Sequence, residues 1–170
     1  MTTIDDEDHR FGDWPIPRAY LIEIGRIVSL WTVLENLLNF GLGRLCGVDT
    51  RDPKQLVLFE HLSIPQKLDI LGALANIDEE CGVDNQELSN ALAKVRRAQG
   101  ERNKFLHNPV ILDEESGTYF IMQSSARGRV KITTDPVSVE TLRAAVRVVD
   151  DANRTLSKAI YGNEVPPPLR

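Results

Sequence analysis

The feature that most limits what this chain can fold into is a helical stripe near its N-terminus. Leu21, Ile24, Val28, Trp31, Glu35, Leu38, Leu42 and Leu45 follow one another in alternating steps of three and four, the spacing that stacks side chains along one side of an α-helix. A second row, Ile27, Leu30, Leu34 and Leu37, runs beside it. A helix that is apolar on more than one side must be surrounded by partners. The spacing therefore predicts a helix over about 18–45, entered after Pro15 and Pro17 and central to a bundle. Glu35 is the single charge on the main stripe.

Further along, start signals recur at helix-like distances. Asp52-Pro53 pairs an N-cap with a first-turn proline and opens a short helix to about His61. Ser63-Ile-Pro-Gln66 and Asp84-Asn-Gln-Glu87 both have capping-box spacing. The first begins a helix that faces Leu68, Leu71 and Leu74 inward and ends before Gly82. The second begins a helix with Leu88, Leu92, Val95, Gln99, Arg102 and Leu106 on one stripe. Pro109 stops that helix, because its ring drives Asn108 out of the helical region. Gly41-Leu-Gly43 lies inside an apolar helix and reads as a place of close helix packing rather than a phosphate loop.

The pattern then changes period. Val110-Ile-Leu, Thr118 to Gln123 and Val130 to Thr134 are β-prone runs separated by Glu-Ser-Gly and Ala-Arg-Gly turns, which predicts an antiparallel hairpin or three-strand meander. Ser138 can cap a last helix with Leu142, Ala145, Val149, Ala152, Leu156 and Ile160 inward, ended by Gly162. The expected fold class is mainly α: a bundle of four main helices with a small antiparallel β element inserted between the third and fourth. Residues 14–162 form one domain, with the insertion at about 109–134. Residues 1–13 are acidic and aperiodic and are expected to be disordered, and 163–170 to be a flexible, proline-rich tail.

Composition narrows the function classes. A hydrophobic fraction of 42% and a charged fraction of 26% in 170 residues are globular values. No apolar run approaches the roughly 20 residues needed to cross a bilayer, and the polar N-terminus does not resemble a secretory signal. No membrane association is expected. Cys46 and Cys81 are far apart and read as free thiols in a reducing, cytoplasmic setting. The histidines His9, His61 and His107 and the two cysteines give no metal-ligand spacing, so neither metal nor cofactor is expected. The net charge of -5 conceals an asymmetry. Residues 1–93 carry 7 Lys/Arg against 16 Asp/Glu, whereas 94–170 carry 13 against 9. A basic half can meet phosphates, although such asymmetries also arise without a ligand. Aromatic residues are not interleaved with the basic ones, so the stacking platform of a single-strand binder is missing.

One constellation remains that could carry chemistry: Arg102-Asn-Lys-Phe-Leu-His107, late on the helix that Pro109 ends. At 100° per residue Asn103 and His107 share a face, while Arg102 and His107 are about 140° apart, so Arg102 must curl its side chain to reach the imidazole. Imidazole ordinarily titrates closest to neutrality of the common side chains, as general acid–base chemistry requires. Guanidinium is a permanently charged planar fork suited to phosphate oxygens.

Arg102-Asn103 followed by His107, late in the third helix of an α-bundle, resembles the Arg-x4–6-His signature of the HEPN superfamily. Trp31-x3-Glu35 on the long first helix is also similar to that superfamily's pattern. The resemblance implies a homodimer whose motifs meet at the interface, and a metal-independent endoribonuclease akin to toxin or host-defence effectors. It further implies that His107 activates the ribose 2′-hydroxyl or protonates the leaving oxygen, that Arg102 binds the scissile phosphate, and that Asn103 orients His107 or the substrate. An antitoxin-like protein partner would fit that setting.

Other readings stay open from sequence alone. The chain could be a non-catalytic homodimeric module that binds a nucleotide, RNA or a protein. Arg102 and Glu35, each a lone charge on an apolar stripe, could form a buried ion pair that fixes the packing or supports the guanidinium. His107 could simply cap the helix by bonding its last carbonyls. Trp31 reads as core or interface, and Arg143, Arg147, Arg154 and Lys158 as a solvated face.

Overall fold

The computed structural model describes residues 16–48, 53–77, 83–125 and 131–162. The acidic N-terminal segment, the proline-rich tail, Cys81, the end of the helix before Gly82 and the Ala-Arg-Gly turn lie outside the described residues. Within them the order is α1 (Arg18–Leu45), α2 (Pro53–Glu60), α3 (Ile64–Ile77), α4 (Asn85–Leu106), β1 (Val110–Asp113), β2 (Thr118–Ser125), β3 (Lys131–Pro136) and α5 (Val139–Tyr161). This is a mainly helical chain with one three-stranded antiparallel sheet, ordered β1-β2-β3, between α4 and α5.

Helix starts follow the capping chemistry in the sequence. Asp84 accepts from the Glu87 amide at 2.7 Å. Ser138 and Thr141 form a full reciprocal box at the head of α5. At the head of α3 the reverse arm forms instead, since the Ser63 amide and hydroxyl both donate to Gln66 Oε1 at 2.8 Å. Each satisfies donors that a helix terminus otherwise leaves open.

α5 is the helix that α1 and α4 share, while α1 touches each of the other helices. Leu142, Ala145, Val149, Ala152, Leu156 and Ile160 are all buried, and the alanines between the larger side chains let α1 and α4 approach it on two sides. α1 and α4 pack far more against α5 than against each other. The closeness on the α1 side is concrete: a Cβ on Gly41 would come within 2.5 Å of Ile160 Cδ1, as the Gly41-Leu-Gly43 pattern suggested. Asn153, itself buried, donates from Nδ2 to the Leu30 carbonyl at 2.9 Å and ties α5 to the middle of α1.

Two expected stripes are displaced. On α1 the deep row is Ile27, Trp31, Leu34, Leu38 and Leu42, while Leu21 and Val28 are 39% and 42% exposed. On α4 the buried row bends from Leu88, Leu92 and Val95 to Ala98 and Phe105, leaving Gln99, Arg102 and Leu106 half-buried. The reason is geometric: a straight helix of 3.6 residues per turn drifts away from a strict three-four alternation. Arg102 therefore lies at the rim of the core rather than inside it.

The sheet leans on the helices through one face of β2. Ile121 is fully buried, and Tyr119 packs on Tyr20 of α1 with ring centroids 5.1 Å apart. The next residue on that face, Gln123, turns toward the end of α4 and donates to Asp135 at 2.9 Å. Asp135 also takes Lys104 Nζ of α4 at 3.0 Å, and the Met122 amide donates to the Pro109 carbonyl at 3.1 Å. The sheet is thus fastened beside the last turn of α4.

Candidate functional site

α4 ends at Leu106 and His107 takes the C-cap position. The capping work falls to its neighbour: Asn108 Nδ2 donates to the carbonyls of Asn103 and Lys104 at 3.3 and 2.9 Å. His107 contributes only its backbone amide, which donates to Asn103 O. The reading in which the imidazole itself bonds the last carbonyls is replaced by this arrangement, which leaves the ring of the exposed His107 available to other side chains.

The Arg102 side chain curls as the 140° offset demands. Its Nη1 donates to Asn103 Oδ1 at 3.1 Å and lies 2.5 Å from His107 Nε2. Guanidinium has donors only, so this contact requires a lone pair on Nε2 and places any ring proton on Nδ1. The three residues of the motif thus converge on a single nitrogen of Arg102. Beneath them the Arg102 guanidinium carbon sits 5.6 Å from the centre of the Trp31 ring, a cation–π platform worth about 0.5–2 kcal/mol. Trp31 is 4% exposed, so it is both core and floor of this site.

Glu35 does not join them. Among the described residues Arg102 is engaged by Trp31, Asn103 and His107. Glu35, one turn beyond Trp31, lines a separate cavity with Asn39, Glu60 and Lys67. The expected Arg102–Glu35 pair is not formed, because Arg102 at the rim reaches outward to His107 instead of inward along α1. Its Nε is nevertheless buried with no partner.

Beside this constellation lies a cleft of about 470 Å³, with α4 on one side and the sheet on the other. Asn103, Lys104 and His107 line the first wall; Gln123, Lys131 and Thr133 line the second. Gly100 forms part of the wall, and nothing lies within 4 Å of where its Cβ would be. The lining is rich in donors and carries Lys104 and Lys131, which suits an anionic, polyhydroxylated ligand. Sequence reasoning missed Gln123, Lys131 and Thr133, and gave Lys104, inside the motif, no ligand-binding role. The alternation of β3 puts Lys131, Thr133 and Asp135 on one face, but only the tertiary fold shows that this face meets α4.

Elsewhere, Cys46 is a free, exposed thiol, and partial burial pushes its pKa up, away from the reactive thiolate. Among the described residues no three His, Cys, Asp or Glu side chains gather as metal ligands, and no helix is long and apolar enough to cross a membrane. Comparison with protein-family models, curated proteins and solved structures finds no match to the chain.

Proposed function

We propose that this chain is a nucleic-acid-directed phosphodiester-cleaving protein, and more narrowly a metal-independent endoribonuclease of HEPN type. The observation that carries this is the convergence of Asn103 Oδ1 and His107 Nε2 on Arg102 Nη1, with Asn103 and His107 themselves lining a donor-rich cleft. A base, a phosphate-binding cation and an orienting amide are the components that 2′-hydroxyl attack on a phosphodiester requires.

Arg102 engages the lone pair that would act as base. A scissile phosphate drawn to the guanidinium competes for Nη1 and releases His107 Nε2. The imidazole then takes the proton of the ribose 2′-hydroxyl, the 2′-oxygen attacks phosphorus, and the bond to the 5′-oxygen breaks as that oxygen takes a proton from water. Products are a 2′,3′-cyclic phosphate and a 5′-hydroxyl. Arg102 meets the charge that develops on the non-bridging oxygens. Lys104 and Lys131 accommodate flanking phosphates, and Asn103 holds Arg102 in register.

A homodimer is part of the proposal. Leu21, Ile22, Val28 and Val33 are 39–48% exposed and share one face of α1 with Gly25, Ser29 and Thr32. A face of apolar and small residues of this kind suits helix-to-helix association. A toxin or defence role, with an antitoxin-like partner, belongs to the same proposal.

The test is to incubate the protein with structured and single-stranded RNA in EDTA beside His107→Ala and Arg102→Ala. Cleavage lost in both variants, with circular dichroism unchanged, supports the assignment. An inert wild type on every RNA leaves instead the reading of a non-catalytic module that binds a nucleotide, RNA or protein in the same cleft. Ile22→Asp with Val28→Asp, followed by sedimentation, tests the dimer.

A further inference from the structure

The cavity that holds Glu35 has no part in that chemistry. It lies between α1 and the α2–α3 junction and measures about 390 Å³, within the roughly 300–1,000 Å³ typical of small-molecule sites. Its polar wall is formed by Glu35, Asn36 and Asn39 of α1 with Glu60, Ser63 and Lys67.

Several of these groups lack partners. Lys67 is only 5% exposed, yet among the described residues it forms no ion pair, although two carboxylates line the same cavity. Asn39 is also 5% exposed. Its Nδ2 donates to Glu60 Oε1 at 3.0 Å, while its Oδ1 is buried with no donor. Glu35 is half-buried and has no hydrogen-bond or ion-pair partner among the described residues. Buried polar groups are normally satisfied, and a buried lysine normally has a counter-charge. Asn39 Oδ1, a buried atom without a partner, and Lys67, a buried side chain without a counter-charge among the described residues, stand on one cavity wall and point to groups kept for a ligand.

The polar groups of the cavity are of two kinds. Lys67 stands at the first turn of α3, where the positive end of the helix dipole adds to its charge. The carboxylates of Glu35 and Glu60, with Asn39 Oδ1, supply acceptors. A simple cation would leave Lys67 opposed, and a simple anion would meet the carboxylates. We propose that this cavity binds a small zwitterion of the α-amino-acid class, its carboxylate on Lys67 and its ammonium on Glu35, Glu60 and Asn39 Oδ1. This site is independent of any nuclease activity in the α4 cleft.

The experiment is thermal unfolding of the full chain with each standard amino acid at millimolar concentration, followed by calorimetric titration of those that shift the midpoint. Butylamine, butyrate and spermidine serve as single-sign controls. At least one amino acid is expected to raise the midpoint saturably and to bind at least about tenfold more tightly than butylamine or butyrate. Lys67→Met and Glu35→Gln should each weaken that binding by about tenfold or more. Amide chemical shifts should move around Asn36, Asn39 and Lys67 and not around His107. If Lys67→Met fails to fold, Glu35→Gln and the shift map decide. Absence of binding by every amino acid, equal binding of butylamine or spermidine, or shifts located elsewhere overturns the proposal.

Discussion

Replacing Arg102 by methionine separates what the guanidinium does for the fold from what it does for chemistry. Methionine keeps the length of the stem and can rest on Trp31, but it leaves no polar atom to satisfy. Three effects bear on stability. Losing the stack over Trp31 costs about 0.5–2 kcal/mol. Losing the Nη1 bonds to Asn103 and His107 costs about 1 kcal/mol net, since both partners can turn to water. Removing a buried Nε that has no acceptor returns about 1–3 kcal/mol. The sum lies near zero, so Arg102→Met is expected to stay within about 2 kcal/mol of wild type, small against the 5–15 kcal/mol that holds a domain together. Cleavage, by contrast, should fall about 100-fold or more, the typical effect of deleting one donor to a developing oxyanion. Urea unfolding followed by circular dichroism gives the first quantity, and single-turnover RNA cleavage in EDTA the second. A variant that unfolds by more than about 4 kcal/mol, or cleaves within about threefold of wild type, refutes the reasoning.

Two helix-interior glycines should respond in opposite directions. Gly25→Ala meets nothing within 4 Å and should gain about 0.5–1 kcal/mol of stability, whereas Gly41→Ala pushes into buried Ile160 and should lose about 1–2 kcal/mol despite the better propensity; chemical denaturation reads both. Asn108→Ala removes the side-chain cap at the end of α4 and should cost about 1 kcal/mol, while cleavage falls further because His107 can then turn to the freed carbonyls. Burial, then Tyr119 and Glu140, raise the Tyr20 pKa above its ordinary 10.0. The folded state holds that proton more tightly than the unfolded one, so this stabilisation is complete below pH 10 and is lost as pH rises through the raised value. Tyr20 donates to the Val137 carbonyl at 3.1 Å, so melting temperatures of wild type should fall more steeply above pH 10 than those of Tyr20→Phe.

Most of the architecture could be read from the chain because local signals agreed with each other. Asp84, Ser138, Pro109 and Gly162 mark helix ends by chemistry that acts within a few residues, and the boundaries of α4 and α5 follow them. What could not be read depends on contacts far apart in sequence. Arg143 looks like part of a solvated face, yet it reaches Glu23 on α1, a carboxylate only 3% exposed that Arg26 also holds. Nothing local distinguishes Glu23 from a surface acid. The same is true of the site. The spacing brought Asn103 and His107 to one face and required Arg102 to curl. Whether Arg102 would curl toward His107 or reach for Glu35 turned on a small rotation of the buried row of α4, which periodicity does not resolve. The second wall of the cleft, on β3, was hidden for the same reason.

Because α1 and α4 meet mainly through a third helix, the height of Trp31 beneath Arg102 is set by neither residue. α5 works as a gauge block between them: the Asn153 side chain fixes the backbone at Leu30, and Lys94 of α4 is anchored to Asp151 and Thr155. A change in the thickness of that spacer, such as Ala152→Val, would tilt the floor of the site without touching any of its members. Second-site changes that tune or restore activity should therefore gather along α5, far in sequence from the residues whose spacing they adjust.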